Sequence, residues 1–452
     1  MIEKLTSITG TLSGILWNNV FTLAALLGIG AYLTVKMGFI QFRGFKHSVQ
    51  LIQGKHDKPD DVGEVSHFQA LSTALSATVG TGNIAGVAAA ITLGGPGALF
   101  WMWVTAFFGM ATKFAECSLS VKFREISPSG EVAGGPMYTL LHGLNQRPLA
   151  IMFASFALIA SFGIGNMVQA NSVVDGLAFI NPAIKDHRWL LGAVMAVIVG
   201  LVIIGGVKRI AKVASILVPF MAVIYVGAAL IVLIKNFSEI PRAIGLVFNN
   251  ALNIWAVGGA AVGEAIRWGV ARGLFSNEAG LGSSPMAHAA AKTNEPVREG
   301  LVAMLEPFID TLIICTLTGL VILTTNAIET RPSEITGAAF TAYAFEQSLG
   351  GFGSKIVGIG LMLFAFSTTI AWSYYGDRAA RFLFGEKAVL PYRIVYSILV
   401  MVGAAIPLKL VWNLADITNI LMAIPNLIAL VFLAGLVKKM KNDYFSKNEK
   451  PQ

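Results

Sequence analysis

The chain has 452 residues, of which 55% are hydrophobic and only 13% charged, with a formal net charge of +8 at pH 7 and a mean hydropathy of +0.69. This composition excludes an ordinary soluble domain and indicates a membrane protein with many spans, so we expect a lipid bilayer around it. The positive charge does not indicate nucleic-acid binding, because the basic residues lie in loops between apolar stretches, where membrane topology places them.

About eleven apolar stretches are long enough, at about 20 residues each, to cross a bilayer as helices. We therefore predict an all-α polytopic membrane protein with about 11 transmembrane helices. The predicted spans are 14–38, 66–92, 97–121, 150–179, 188–206, 210–235, 252–290, 300–325, 352–376, 390–408 and 411–437.

The second span contains the stretch Gly80-Thr81-Gly82-Asn83, which is poor helix material. Each glycine costs about 1 kcal/mol relative to alanine in a helix, and non-helical backbone at membrane depth survives only in protein or beside a cavity. A break here would leave carbonyls that attract a cation and N–H groups that attract an anion. With Thr78 beside it, the break is predicted to hold a zwitterion and a sodium ion. The alternative is a glycine-rich helix packed closely on a neighbour.

The fourth span carries three amide side chains, Asn166, Gln169 and Asn171. They cannot all face lipid, because an unpaired buried amide costs roughly 2 kcal/mol or more. For Gln169 two interpretations stand side by side: a hydrogen bond to a substrate carboxylate, or a bond between helices. For Asn171 the bond between helices is favoured.

The seventh span is interrupted by several glycines and carries many polar groups. Gly273 is predicted as the point where its helix unwinds, with Gly280 and Gly282 as a second point. Ser276 and Asn277 would then offer a hydroxyl and an amide to a substrate near the first break.

Two charged residues of the same span, Arg272 and Glu278, lie at or near the bilayer, where isolated charges are costly and usually paired. A structural ion pair at the cytoplasmic surface is the favoured interpretation, and a pair acting as an inner gate is the alternative. Glu116 and Asp310 are the acids placed deepest in the membrane, and they keep proton coupling open as an alternative. Cys117 and Cys315 are expected to be buried free thiols.

The ninth span has three consecutive hydroxyls, Ser367, Thr368 and Thr369. Such hydroxyls often bond to the carbonyl four residues earlier. Here Ser367 and Thr368 are instead predicted to complete an oxygen cage for sodium. Trp372, one turn later, is expected to close one side of a small pocket together with Phe275.

Basic residues predict the orientation, because cytoplasmic loops carry an excess of lysine and arginine. About 21 of them fall on one side of the predicted spans and about seven on the other. The C-terminus is therefore expected in the cytoplasm and the N-terminus outside the cell.

Without the first span, ten spans remain, and each group of five opens with an interrupted span. This pattern predicts inverted repeats with a substrate site near the midplane. The predicted units are an N-terminal helix and loop (1–60), a first repeat (61–245), a second repeat (246–440) and a cytoplasmic tail (441–452).

Three stretches resemble the alanine or glycine:cation symporter family: Thr81 to Val87 with Gly94 to Ala98, then Ala271 to Gly280, and Trp372 to Gly376. The resemblance covers nearly the whole chain. It implies the five-plus-five inverted fold of the bacterial leucine transporter within the amino acid–polyamine–organocation superfamily, with two discontinuous helices. It also implies sodium-driven uptake of alanine or glycine, no cofactor other than Na+ as coupling ion, and function as a monomer in the cell membrane.

The resemblance further implies the ligands. The amides of Thr81 and Gly82 would take the substrate carboxylate, and the carbonyls of Ser76 and Val79 would bind sodium. Sodium would also bind the Phe364 carbonyl and the hydroxyls of Ser367 and Thr368. For a second sodium site, the resemblance identifies only two of the ligand positions, which are occupied by Thr78 and Asn83.

Two other classes of function are less well supported by the sequence. A channel or sensor on the same fold would favour a continuous polar stripe, whereas the polar groups cluster near the middle of the spans. A membrane enzyme is not expected, since no catalytic carboxylate pair, nucleophile with a base, or metal-ligand spacing is evident. Uptake of alanine and glycine in preference to leucine is predicted.

Overall fold

A computed structural model of the chain describes residues 2–127, 130–253, 259–406 and 409–448. Its α-helices are Ile2–Asn18, Val20–Lys36, Ile40–Arg43, Phe45–Ile52, His67–Thr78, Val87–Gly94, Ala98–Lys122, Pro136–Tyr138, Arg147–Phe162, Val168–Ile180, Arg188–Ile203, Gly206–Lys235, Ile240–Leu252, Gly259–Asn277, Pro285–His288, Pro296–Ala303, Leu305–Pro307, Thr316–Thr324, Ala327–Thr330, Gly337–Leu349, Gly351–Phe384, Val389–Ala405 and Lys409–Asn448.

Shorter elements connect or interrupt these helices. The π-helical segments are Gly82–Gly86, Thr139–Gly143, Gly163–Met167 and Phe308–Cys315, and the 3₁₀ turns are Pro182–His187, Phe237–Glu239 and Glu386–Ala388. One antiparallel pair of short strands, Glu125–Ile126 and Val132–Ala133, places Glu125 opposite Ala133.

Eight helices in the described ranges are long and apolar enough to cross a membrane, and a bent pair at 67–94 makes nine. This confirms a polytopic helical protein, while the number eleven stays a prediction. The predicted first span, 14–38, differs in its bounds, because two helices meet there at Asn19. The Asn19 carbonyl accepts hydrogen bonds from the N–H groups of Thr22 and Leu23, which begins the second helix.

The first broken helix consists of His67–Thr78 and Gly82–Gly94. Its start is fixed by a capping box, in which the Ser66 hydroxyl accepts from the Gln69 N–H and the Gln69 side chain accepts from the Ser66 N–H. The helix stops where Val79 adopts an extended conformation, with φ −75° and ψ 90°. The two halves meet at 52°, so the predicted break is present.

The second interrupted segment corrects the prediction for Gly273. The helix Gly259–Asn277 runs unbroken through that glycine. A Cβ at Gly273 would lie 3.0 Å from the Thr105 hydroxyl and 3.3 Å from the Met102 Cα, so the glycine serves close helix packing instead. The helix ends at Asn277, and the next residue, Glu278, has φ +55°.

Beyond Glu278, Gly280 and Gly282 have φ of +85° and +83°, values that glycine adopts without strain. The chain therefore leaves the helix at Asn277, shortly before the second predicted point, and turns at Gly280 and Gly282. The start of the predicted seventh span, at 254–258, lies outside the described residues, as does the tail end at 449–452.

A long helix, Gly351–Phe384, carries the three hydroxyls past the break of the first broken helix and packs on Arg147–Phe162 and Val168–Ile180. We call it the hydroxyl helix. These three helices bring amide, hydroxyl and aromatic side chains to the same depth as the break. The inverted repeat and the boundaries of the predicted units stay predictions.

Candidate functional site

A small cavity lies at the break of the first broken helix, with a volume of only about 10 Å³. Its walls come from four helices, and its lining residues are Ala77, Thr78, Gly80, Thr81, Gly82, Ile164, Gln169, Phe275, Glu278, Thr368 and Trp372. A volume near 10 Å³ holds at most about one water molecule. An amino acid therefore enters only if these walls move apart, so the structure has a closed site.

Seven of the ten residues predicted to bind substrate line this cavity, and three do not. The seven are Thr78, Gly80, Thr81, Gly82, Gln169, Phe275 and Trp372. Gly273 packs on a neighbouring helix, as described above. Ser276 and Asn277 face the segment Phe308–Cys315: the Ser276 hydroxyl lies 3.4 Å from the Cys315 sulfur, and the Asn277 amide donates to the Thr311 hydroxyl at 3.2 Å.

The five residues predicted to bind sodium meet on the side of the break that faces the hydroxyl helix. The Ser76 hydroxyl donates to the Ser367 carbonyl at 2.9 Å, and the Ser367 hydroxyl donates to the Phe364 carbonyl at 2.9 Å. The Thr368 hydroxyl lies 3.0 Å from the Phe364 carbonyl and 3.5 Å from that of Val79. Carbonyl and hydroxyl oxygens thus cluster at the C-terminal end of a half-helix, where the dipole favours a cation.

Asn83 stabilises the break. Its Oδ1 accepts from the Gly80 N–H at 2.9 Å, and its Nδ2 donates to Oδ1 of Asp310 at 2.6 Å. Gly80 is also in close contact with the hydroxyl helix, since a Cβ there would lie 2.7 Å from the Thr368 hydroxyl. The Thr78 hydroxyl donates to the Ala74 carbonyl at 3.2 Å within its own helix. The second sodium position at Thr78 and Asn83 stays a prediction.

Gln169 points its side-chain amide at the break. Its Nε2 donates to the Ile164 carbonyl at 3.0 Å and lies 3.5 Å from the Thr81 hydroxyl. Its Oε1 is buried and has no hydrogen-bond partner among the described residues. A buried polar atom without a partner is costly, so this oxygen marks a place for a ligand donor.

Glu278 is a wall residue that the sequence did not assign to the substrate site. Its Oε1 accepts from the Trp372 indole N–H at 3.0 Å, and its Oε2 accepts from the Ser283 hydroxyl. Its position follows from the helix continuing to Asn277, with Glu278 at the turn that follows, whereas the sequence predicted that the helix would unwind at Gly273. Ala77 and Ile164 were likewise missed, because apolar wall residues have no signal in one sequence.

The predicted ion pair between Arg272 and Glu278 is not formed. Arg272 instead lies over the rings of Trp268 and Phe275, with its guanidinium carbon 5.4 and 5.7 Å from their centroids. A mutual or neighbouring pair was expected because both residues carry charge at or near the bilayer, where isolated charges are costly. The turn at Glu278 directs the carboxylate into the closed cavity, on the other side of Phe275.

A second cavity of about 170 Å³ adjoins the closed one, and Phe275 lines both. Its other lining residues are Gly10, Ser13, Gly14, Arg267, Trp268, Ala271, Arg272 and Asp416. The Phe275 ring stacks on Trp412, with centroids 5.7 Å apart and an angle of 27°. Phe275 therefore forms part of the wall of both cavities, and Trp412 supports its ring.

A network of buried charged groups lies beyond the break, toward the predicted cytoplasmic side. The Lys113 ammonium lies 3.0 Å from Glu306, which accepts from His288 at 2.7 Å. The other His288 nitrogen lies 2.5 Å from Glu299, which also pairs with His67. All five side chains are at most 2% exposed. Buried charges of this kind are stable only when each is paired and hydrogen-bonded.

This network offers three groups, Cys117, His288 and Glu306, with ligand atoms within 4.8 Å of one another. They do not suit a metal ion, because the Lys113 ammonium already occupies Glu306 and would repel a second cation. Both cysteines are free and buried, as expected. Glu116 accepts from the Asn426 amide at 2.9 Å, so this deep acid is also hydrogen-bonded.

A family model described as the sodium:alanine symporter family matches residues 2–452. The sodium/alanine symporter AgcS of Methanococcus maripaludis is 49% identical over 440 residues, which cover 95% of each chain. The putative sodium/proton-dependent alanine carrier protein YrbD of Bacillus subtilis is 38% identical and covers 96% of this chain, which covers 91% of YrbD. The crystal structure of MhsT in complex with L-phenylalanine matches 84% of this chain and 98% of its own, with a TM-score of 0.59 at 12% identity, and so shares the fold.

Proposed function

This chain belongs to the sodium:alanine symporter family, and from that premise we propose that it imports small neutral amino acids, alanine and glycine first, together with Na+. It is a multi-pass membrane protein and an amino-acid symporter. The observation that carries the finer proposal is the clustering of five oxygen-bearing residues beside a cavity at a broken helix.

The substrate site would use the two ends of the break. The helix that resumes at Gly82 begins with N–H groups that have no acceptor within the helix, and these would bind the α-carboxylate. Oε1 of Gln169 is an acceptor in the orientation described, so it suits the α-ammonium of the same molecule. Gln169 would meet the carboxylate, as first predicted, only with its amide turned over, since oxygen and nitrogen are assigned from their partners.

The sodium site would use the carbonyls of Ser76, Val79 and Phe364 with the hydroxyls of Ser367 and Thr368. Each hydroxyl now donates to a carbonyl, and rotation of its O–H turns the oxygen lone pairs toward a bound cation. Because the same backbone break would hold both ligands, sodium would favour the arrangement that binds the amino acid. Such linkage is reciprocal: the amino acid would raise the affinity for sodium by the same factor.

Small side chains are favoured by the walls of the cavity. Trp372 and Ile164 are at most 4% exposed and contribute two of its largest apolar walls. The larger cavity beyond Phe275 would be the route of entry, with the Phe275 and Trp412 rings moving apart to admit substrate. Closing such rings around a bound molecule excludes water and completes the site.

Proton coupling is the second candidate. It is favoured by the buried Asp310 carboxyl, which bonds to Asn83 at the break. Glu278 in the cavity wall is a further acid that substrate would contact. The relative YrbD is described as sodium/proton-dependent, so either ion is a candidate coupling ion for this chain.

Uptake of labelled alanine by proteoliposomes separates these proposals. We expect accumulation with an inward Na+ gradient, and none when potassium replaces sodium at constant pH. Accumulation driven by an inward proton gradient in sodium-free medium would instead support the second candidate. Equilibration that never exceeds the external concentration, with either ion, would reject both and favour a channel.

The proposed orientation has the N-terminus outside and the C-terminus in the cytoplasm. An epitope placed after Gln452 should be reached by antibody only after the cells are permeabilised. If antibody labels intact cells, the C-terminus lies outside and the orientation is the opposite of the one proposed.

A further inference from the structure

A groove of about 590 Å³ opens where the helices Val20–Lys36 and Lys409–Asn448 end on the same side of the protein. Its lining residues are Met37, Ile40, Arg43, Lys441, Asn442, Phe445 and Ser446. Met37 and Ile40 form a buried apolar floor, at most 1% exposed. The rim carries cationic and neutral polar side chains. This groove is separate from the substrate cavity and from the buried charge network.

Two cations converge at the groove. The Lys441 ammonium donates to the Met37 carbonyl at 3.0 Å, which fixes it over the turn after the first of these helices. A Cβ at Gly38 would lie 3.9 Å from that ammonium and 3.5 Å from a guanidinium nitrogen of Arg43. Both cations therefore lie close to the backbone of Gly38.

The cluster is not neutralised within the part of the chain that the structure describes, where no carboxylate lies within 4.0 Å of Arg43 or Lys441. Repulsion from Arg43 and from Lys438 acts on Lys441. Like charges held close together are destabilising unless an anion lies between them.

The groove lies at the level of lipid headgroups. The helix Lys409–Asn448 is apolar from Leu427 to Val437 and then carries Lys438, Lys439 and Lys441. The helix Val20–Lys36 changes in the same way at its last residue. A change from apolar to basic residues marks the boundary between the acyl chains and the headgroups on the cytoplasmic face.

Exposed apolar side chains are interspersed with the lining residues along the chain from Val35 to Arg43. Val35 is 68% exposed, Phe39 46% and Phe42 71%. A free phosphate ion would make no use of them, whereas the acyl chains of a lipid would cover them. This combination favours a phospholipid over a soluble anion.

We propose that this groove binds an anionic phospholipid, with Arg43 and Lys441 at its phosphate and with Val35 and Phe42 along an acyl chain. The lipid would tie the N-terminal pair of helices to the last helix, and so to the side of the protein that carries the buried charge network. The site is independent of what the protein transports.

Native mass spectrometry of the full-length protein tests this proposal, with detergent micelles that contain phosphatidylglycerol or phosphatidylcholine as the probe. Wild type should retain at least one phosphatidylglycerol under conditions that strip phosphatidylcholine. Because each cation near an anionic lipid contributes about fivefold in affinity, Arg43→Gln with Lys441→Gln should weaken retention about 30-fold. The control, Lys208→Gln with Lys212→Gln, removes two exposed lysines on the same predicted side and should retain lipid as wild type does.

Equal retention by the wild type and the groove variant would overturn the proposal, and so would equal retention of the two lipids by wild type. Release of the lipid by millimolar inorganic phosphate would overturn the proposal of a lipid ligand and would indicate that the groove binds a soluble anion. If the double variant does not fold, Phe42→Asn replaces it: the proposal then requires weaker retention of phosphatidylglycerol with both cations present. Lipid binding is measured without transport, so failure of alanine uptake leaves this result unaffected.

Discussion

The Trp372 indole N–H donates to Oε1 of Glu278 at 3.0 Å, across the wall of the closed cavity. This bond joins the hydroxyl helix to the point where the second interrupted segment leaves its helix. Trp372 thereby limits the size of the cavity, and Glu278 is held beside the space where substrate would bind. A widening of the cavity that separates these two residues would strain or break this bond.

Loss of the two predicted sodium hydroxyls should raise the sodium requirement. Each ligand to a cation contributes roughly 1–2 kcal/mol, so Ser367→Ala with Thr368→Ala should raise the Na+ concentration for half-maximal alanine uptake by about tenfold or more. The measurement is initial uptake over a series of Na+ concentrations. The control is Thr369→Ala, which removes a buried hydroxyl that bonds only within its own helix, to Ala365. An unchanged sodium curve in the double variant would remove both hydroxyls from the cage.

Removal of the unpartnered acceptor at Gln169 should weaken substrate binding. Gln169→Leu keeps the approximate size but loses a polar contact worth about 1–2 kcal/mol, so the concentration for half-maximal alanine binding should rise about tenfold. Equilibrium binding of labelled alanine in saturating Na+ measures this. The control is Asn171→Leu on the same helix, whose amide contacts the Gly403 and Ile406 carbonyls and not the cavity. The same affinity for Gln169→Leu as for wild type would exclude Gln169 from the site.

The size of the cavity should determine which amino acids are accepted. Ile164→Ala removes a buried wall side chain, and each methylene a pocket admits is worth about 1 kcal/mol or more. We expect the ratio of leucine to alanine uptake to rise about tenfold. The control is Ile159→Ala. Ile159 precedes Ile164 in the chain and is 51% exposed, so its replacement should leave the ratio unchanged. A constant ratio in Ile164→Ala would place the selective wall elsewhere.

Breaking the buried charge network should destabilise the protein strongly. Lys113→Met leaves Glu306 and its neighbours with one cation fewer, and an uncompensated buried charge costs about 3–5 kcal/mol. The thermal midpoint of the purified protein should fall by several degrees. Lys122→Met removes an exposed lysine from the same helix and should have little effect. If Lys113→Met keeps the wild-type midpoint, the ion pair is not a structural requirement.

The features that the sequence predicted well are local. The break at Gly80 follows from glycine content, and the predicted start of the same span at residue 66 agrees with the capping box that the structure shows there. The meeting of Ser76 with Ser367 is a contact between residues 291 apart, and the resemblance to a family supplied it. Composition and spacing alone would not have found that contact.

The features that the sequence missed depend on packing between helices. Gly273 and Gly280 look alike in the sequence, yet one lies against Thr105 in an unbroken helix and the other turns the chain. Only the neighbours of each glycine decide between these outcomes. The same holds for Glu278, whose direction depends on the turn after Asn277. It holds also for Lys113, whose partners Ser284 and Glu306 come from much later segments of the chain.

The most direct test of the account is a structure by electron cryomicroscopy of the protein purified in alanine and NaCl. We expect alanine at the N–H groups of Thr81 and Gly82 and beside Gln169, with a cation among the oxygens of Val79, Phe364 and Thr368. Alanine bound at another place, with the first broken helix straightened between Thr78 and Gly82, would contradict it.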